Sequence, residues 1–99
     1  MKNRNTTFFA PHLAVRNVRA AMEFYRKAFD AIVIRIWNNP DDSVHVAEMK
    51  IQGLLFHLHE EVARSKQLSP ETVRATTVLI GLFVPDPDML LKQAADTGG

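Results

Sequence analysis

Cysteine is absent from this 99-residue chain. That excludes disulfide stapling and thiolate metal sites, and it agrees with a reducing compartment. Glycine is scarce, with only four in the chain, and no glycine-rich phosphate loop, Ser/His/Asp order or cysteine nucleophile occurs. Charge of one sign is also missing: twelve Lys/Arg against eleven Asp/Glu leave a net charge of +1. Nothing here forms an electrostatic footprint for nucleic acid, and no basic amphipathic stripe calls for a membrane surface. The apolar run from Phe8 to Val15 is interrupted by Pro11 and His12 and is too short for a signal peptide or a membrane span. The cytoplasm is the expected location.

What is present is an ordinary globular composition, 46% hydrophobic and 23% charged. A single domain over residues 1–99 is expected. A chain of this length buries only ~60–65% of the surface its unfolded form exposes, so its core is marginal without a partner.

Two periodicities alternate along the chain. Thr7 to Val15 suits a strand, with Leu13 and Val15 on one face and Phe8, Ala10, His12 and Ala14 on the other. Pro11 places that strand at an edge or a bulge. Asn17 is a natural N-cap for a helix to about Phe29, in which Val18, Met22, Tyr25 and Phe29 form the apolar stripe. Ala31 to Trp37 is β-branched, and a turn-rich segment follows at residues 38–42. Val44 to Ile51 alternates again, and Gln52-Gly53 supplies a two-residue turn into Leu54 to His59. In that last strand Leu54, Phe56 and Leu58 oppose Leu55, His57 and His59. Residues 60–76 form a polar connection in which Ser69-Pro70-Glu71 opens a short helical turn. A fifth strand is expected over Thr77 to Val84. A second helix follows, capped by Asp86-Pro87 and stopped by Gly98-Gly99.

The order is therefore β-α-β-β-β, a linker, then β-α. Leu13-x-Val15-x-Asn17 and Leu82-x-Val84-x-Asp86 form a weak internal echo of a repeat. The fold class is α+β. A ferredoxin-like sandwich satisfies the same periodicity.

The segments Pro11-His12-Leu13-Ala14-Val15-Arg16-Asn17-Val18 and Ala21-Met22-Glu23-Phe24-Tyr25-Arg26-Lys27-Ala28-Phe29 bear on that choice. They resemble the strand-plus-helix opening of the vicinal-oxygen-chelate superfamily, which includes glyoxalase I, extradiol dioxygenases and bleomycin-resistance proteins. Val46-Ala47-Glu48-Met49-Lys50-Ile51-Gln52-Gly53 is similar to its 3-demethylubiquinone-methyltransferase-like branch. The resemblance covers roughly Phe9 to His59 and Val78 to Gly98. It implies a βαβββ module over residues 7–59, a linker over 60–76, and an incomplete second module over 77–99. In the family two such modules curl into an open cup. Here the missing strands imply either a fragment or completion by another subunit, and a homodimer exchanging the final strand and helix is the favoured expectation.

On that fold the less apolar strand faces line the cup, which gathers His12, Glu48, His57 and His59. Imidazoles and carboxylates are the usual ligands of divalent metals and the usual acid–base groups. By the family's pattern His57 matches a metal position, whereas Ala10 and Leu79 stand where two other ligands are expected, and a fourth position falls beyond the chain. A divalent metal held partly by His57 is one expectation, and polar lining of a cup or interface by His57 and His59 is the favoured one. Glu48 has Arg35 or Lys50 as cross-strand partners. Trp37 and Arg35 share a strand face, where Trp37 stacks a ligand ring and Arg35 holds an anion, or Trp37 is ordinary core. His45, beside a turn, is read as exposed, and Phe24-Tyr25 as core. The resemblance implies a small-organic-ligand protein, either a metal-dependent lyase, isomerase or dioxygenase, or a non-catalytic drug-sequestering dimer.

Overall fold

Asn17 starts the first helix by the expected chemistry: its Oδ1 accepts a hydrogen bond from the Ala20 N–H at 3.0 Å, satisfying one orphan donor of the first turn. In the computed structural model, which describes residue 7 and residues 9–98, this helix is α1, Val18–Phe29. It ends where Asp30 turns into the left-handed region at φ 55°. Val18, Met22 and Ala28 are buried along one side, while Arg26 and Glu23 pair at 2.9 Å on the solvent side.

Four strands form one mixed sheet in the order β1-β4-β3-β2: β1 His12–Val15, β2 Ile32–Asn38, β3 Val44–Ile51 and β4 Leu54–Glu60. β1 runs parallel to β4, and the other pairs are antiparallel. Gln52 and Gly53 both take positive φ (53° and 80°), the geometry that joins two twisted strands in a two-residue hairpin. That hairpin excludes the ferredoxin-like alternative, which needs a helix between its third and fourth strands. α1 covers one sheet face, and Val18, Met22, Ala31, Ala47, Met49, Phe56 and Leu58 make the core between them. Tyr25 packs edge-on against Phe56, with ring centroids 5.2 Å apart.

The connection is not shapeless. A 3-10 turn at Ala63–Ser65 is followed by the one-turn helix α2, Pro70–Val73, capped by Ser69. Ser69 donates from both N–H (2.9 Å) and hydroxyl (2.7 Å) to the Glu61 carboxylate. The Thr72 hydroxyl first, then these Ser69 donors, hold the Glu61 carboxyl down at about 2. Arg16 reaches α2 through Thr72 Oγ1 at 3.0 Å. The last helix, α3, Pro87–Asp96, is capped by Asp86 and lies beside α1, where Gln93 Nε2 donates to the Lys27 carbonyl at 3.0 Å.

Three expectations need correction. The first strand begins at His12 rather than Thr7, because Pro11 has no N–H to give to a ladder; its carbonyl accepts from the His57 N–H at 2.9 Å, and Phe8 lies outside the described residues. Thr77 to Val84 takes no regular secondary structure and pairs with no strand among the described residues, so it is not a fifth strand. Its side chains point into solvent, with Leu79 91% and Phe83 96% exposed. His45, read as exposed, is only partly so: its Nδ1 meets Glu60 Oε1 at 2.9 Å, on the carboxylate that also takes Asn39 Nδ2. The helix stop at 98–99 is described only as far as Gly98, which takes φ 105°; Gly99 lies outside the described residues.

Candidate functional site

The sheet face opposite α1 carries the polar residues. Register alone aligns four of them: Arg35 faces Glu48, Glu48 faces His57, and His57 faces His12. One cross-strand row thus spans all four strands. A β-bulge between Val33 and Arg35 sets the phase of β2 that brings Arg35 to this face. A second row follows, in which Trp37 faces Val46, Val46 faces His59, and His59 faces Ala14.

Glu48 is the centre of the first row. Its side chain is 1% exposed, and its two oxygens are separately engaged: Oε2 with His57 Nε2 at 2.9 Å, Oε1 with Arg35 Nε at 3.4 Å. A buried carboxylate needs such partners to remain ionised. Lys50, the other cross-strand candidate for Glu48, stands opposite Ile32 and Leu55 instead. Because a carboxylate accepts only, a neutral His57 presents Nε2–H to Glu48 and leaves Nδ1 as the basic nitrogen. The Arg35 guanidinium lies 5.8 Å from the Trp37 ring centre, and the Trp37 and His57 rings are 6.5 Å apart. Trp37 is therefore on the open face and not in the core.

His12 stacks obliquely on His57, with ring centroids 4.4 Å apart, and its Nδ1 meets His59 Nε2 at 2.9 Å. Burial, and then the neighbouring His57, hold His12 below the ordinary imidazole range. Burial also depresses His59, helped by His12, His57 and His45 in that order. Both effects disfavour the charged form, so the pair is a neutral donor–acceptor couple near pH 7.

All six residues singled out in the sequence, His12, Arg35, Trp37, Glu48, His57 and His59, are on this face. Their nitrogens are turned to one another rather than to a common centre. Among the described residues no group of three or more His, Cys, Asp or Glu is placed to hold a metal ion. Leu79 is off the sheet and Ala10 has no donor atom. The residues present therefore do not fit a resident divalent ion at His57. A notch of about 330 Å³ opens beside the His12–His59 pair, lined also by Ala14, Lys66, Gln67 and Leu68. The last three were invisible to strand periodicity because they belong to the connection. No helix among the described residues is long and apolar enough to cross a membrane.

A βαβββ module with one helix-covered and one open polar face defines the class of fold. The sequence profile of the glyoxalase/bleomycin resistance protein/dioxygenase superfamily matches residues 7–99, and the chain belongs to that superfamily. Many of its members use divalent metals. The match does not single out the 3-demethylubiquinone-methyltransferase-like branch. The chain is 33% identical over 92 residues to uncharacterised proteins of Mycobacterium bovis and Mycobacterium tuberculosis, covering 90% of itself but 60% and 54% of theirs. It thus spans little more than half the length of these relatives. A crystal structure of an Arabidopsis thaliana gene product superposes with a TM-score of 0.73 at 25% identity, over 94% of this chain and 74% of that one.

Proposed function

We propose that the chain binds a small organic ligand on the open face of the sheet, with Trp37 stacking a planar group and Arg35, His57 and His59 supplying polar contacts. What supports this reading is the continuous row Arg35–Glu48–His57–His12, in which a buried carboxylate fixes a cation on one side and an imidazole on the other. Placing a carboxylate where it is almost wholly desolvated is costly for stability alone, and it orients two groups that face solvent. The cup is closed by a second copy of the chain, through the apolar segment 77–84, so the ligand sits between subunits as in a sequestering dimer.

The Glu48–His57 pair also supports a second reading, proton transfer. His57 Nδ1 takes a proton from a carbon next to a ligand carbonyl, Glu48 stabilises the imidazolium, and the proton returns to the neighbouring atom, a redox-neutral isomerisation.

Trp37 is the only tryptophan, so its fluorescence reports on this face alone. Titration with small aromatic acids and ketones is expected to quench it saturably, and Arg35→Ala to weaken the response about tenfold. Sedimentation is expected to give a dimer at micromolar concentration. A monomer with no saturable quench would defeat the proposal, and turnover of a bound ketone that is lost in His57→Gln would favour the catalytic reading.

A further inference from the structure

The notch beside the His12–His59 pair has a composition of its own. It is lined by the paired imidazoles of β1 and β4 and by Ala14 and Leu68, and the exposed residues Lys66 and Gln67 complete its rim. The rim is held in place by the chain itself. Val62 and Gln67 exchange both backbone hydrogen bonds, at 2.8 and 3.1 Å, closing the loop between them. Lys66 sits at the end of the 3-10 turn with φ 60°, a left-handed conformation in which a lysine is unusual. Non-glycine residues held there are over-represented where a side chain must be aimed.

Lys66, like Arg19, Lys27, Lys50, Arg64 and Arg74, enters no ion pair among the described residues. Among the described residues no carboxylate lines the notch. Lys66 is therefore the one formally charged side chain of the lining, and nothing negative opposes it there among the described residues. With both imidazoles neutral, the ring that accepts within the pair keeps an N–H donor and the ring that donates keeps a lone pair, so the pair offers a ligand one donor. The Lys66 ammonium and the Gln67 amide add further donors at the rim. At about 330 Å³ the space is at the small end of ligand sites, enough for a compact organic acid.

We infer that this notch is an anion subsite for a carboxylate-bearing ligand, with Lys66 as the residue that selects charge. The inference rests on the ligand-binding reading of the open face, and it names the chemical class of ligand: an organic acid whose carboxylate enters beside His12 and His59.

The test uses benzoate and its neutral isostere benzamide as probes, read by the imidazole Cε1–H resonances of the four histidines. Benzoate is expected to shift His12 and His59 saturably and leave His45, on the other side of the sheet, in place. Benzamide is expected to bind at least about tenfold more weakly. Lys66→Gln is expected to raise the benzoate Kd about tenfold and Lys66→Arg to restore it. Equal binding of benzoate and benzamide, or a benzoate Kd unmoved by Lys66→Gln, would overturn the subsite. Ligand binding seen through Trp37 and His57 with His12 and His59 unmoved would overturn the subsite and leave the wider reading standing. Benzoate in the notch with no ligand ever quenching Trp37 would do the reverse.

Discussion

Residues 44–60 and residues 77–84 carry the same kind of sequence, short β-branched or leucine-rich runs flanked by turn formers. The first folds into a hairpin whose inner side chains are sealed by α1: Leu58 and Met49 have no exposed surface. The second stays irregular, with most of its apolar side chains in water. Strand propensity is mostly a fit to a pleated, half-buried surface, so a run acquires strand identity only when a neighbour offers a ladder and a face. β3 and β4 find each other across two residues. Segment 77–84 finds no such edge within the described residues, and both outer strands, β1 and β2, keep a free edge.

The contrast can be broken most strongly at its buried end. Leu58→Ala is expected to cost about 3 kcal/mol of unfolding free energy, read from urea midpoints. Leu79→Ala is expected to change that midpoint by less than about 0.5 kcal/mol while weakening self-association, read by sedimentation. Equal costs at the two positions would mean that 77–84 is packed as firmly as β4. Next in size is the polar row. Glu48→Gln keeps the shape but leaves His57 and Arg35 without their anion, an expected loss of about 2 kcal/mol, with the solvent-open Arg35 contributing the smaller part. A cost within error would remove the case for Glu48 as the organiser of the face.

Smallest is the acid response of the His12–His59 pair. Both are depressed below the ordinary 6.5, so below that pH the unfolded chain binds more protons than the folded one. Stability is expected to be full above 6.5 and to fall as pH drops through it towards the lowered folded values. Urea midpoints at about pH 7.5 and about pH 5.5 check this, and a His12→Gln/His59→Gln double variant should flatten the difference. Glu61 does not interfere: its contribution is complete above 4.5 and lost only towards about 2.

Much of the first module was legible because its signals are local. Asn17 caps, the Val18/Met22 stripe is buried, and the alternation of Phe56 and Leu58 against His57 and His59 gives the two faces correctly. The gathering of the polar residues was legible from strand phase. Their alignment into one row was not, since it depends on the parallel pairing of β1 with β4 and on the bulge after Val33. The false fifth strand has the same origin, because pairing is a property of two segments and 77–84 states only one. Lys66 was missed because a loop residue is placed by the closure of its loop, here the Val62–Gln67 bridge, and carries no period.

The Glu61–Ser69 clip, with Arg16 holding Thr72, fixes where the chain leaves α2 at Arg74. From that anchor the roughly ten residues to Val84 reach at most about 35 Å. The apolar segment is thus confined to a small volume near its own sheet, and α3 is already tied back to α1. Any surface that completes the fold meets a tethered segment at high local concentration, so association is governed less by the affinity of a free peptide than by where this short tether starts.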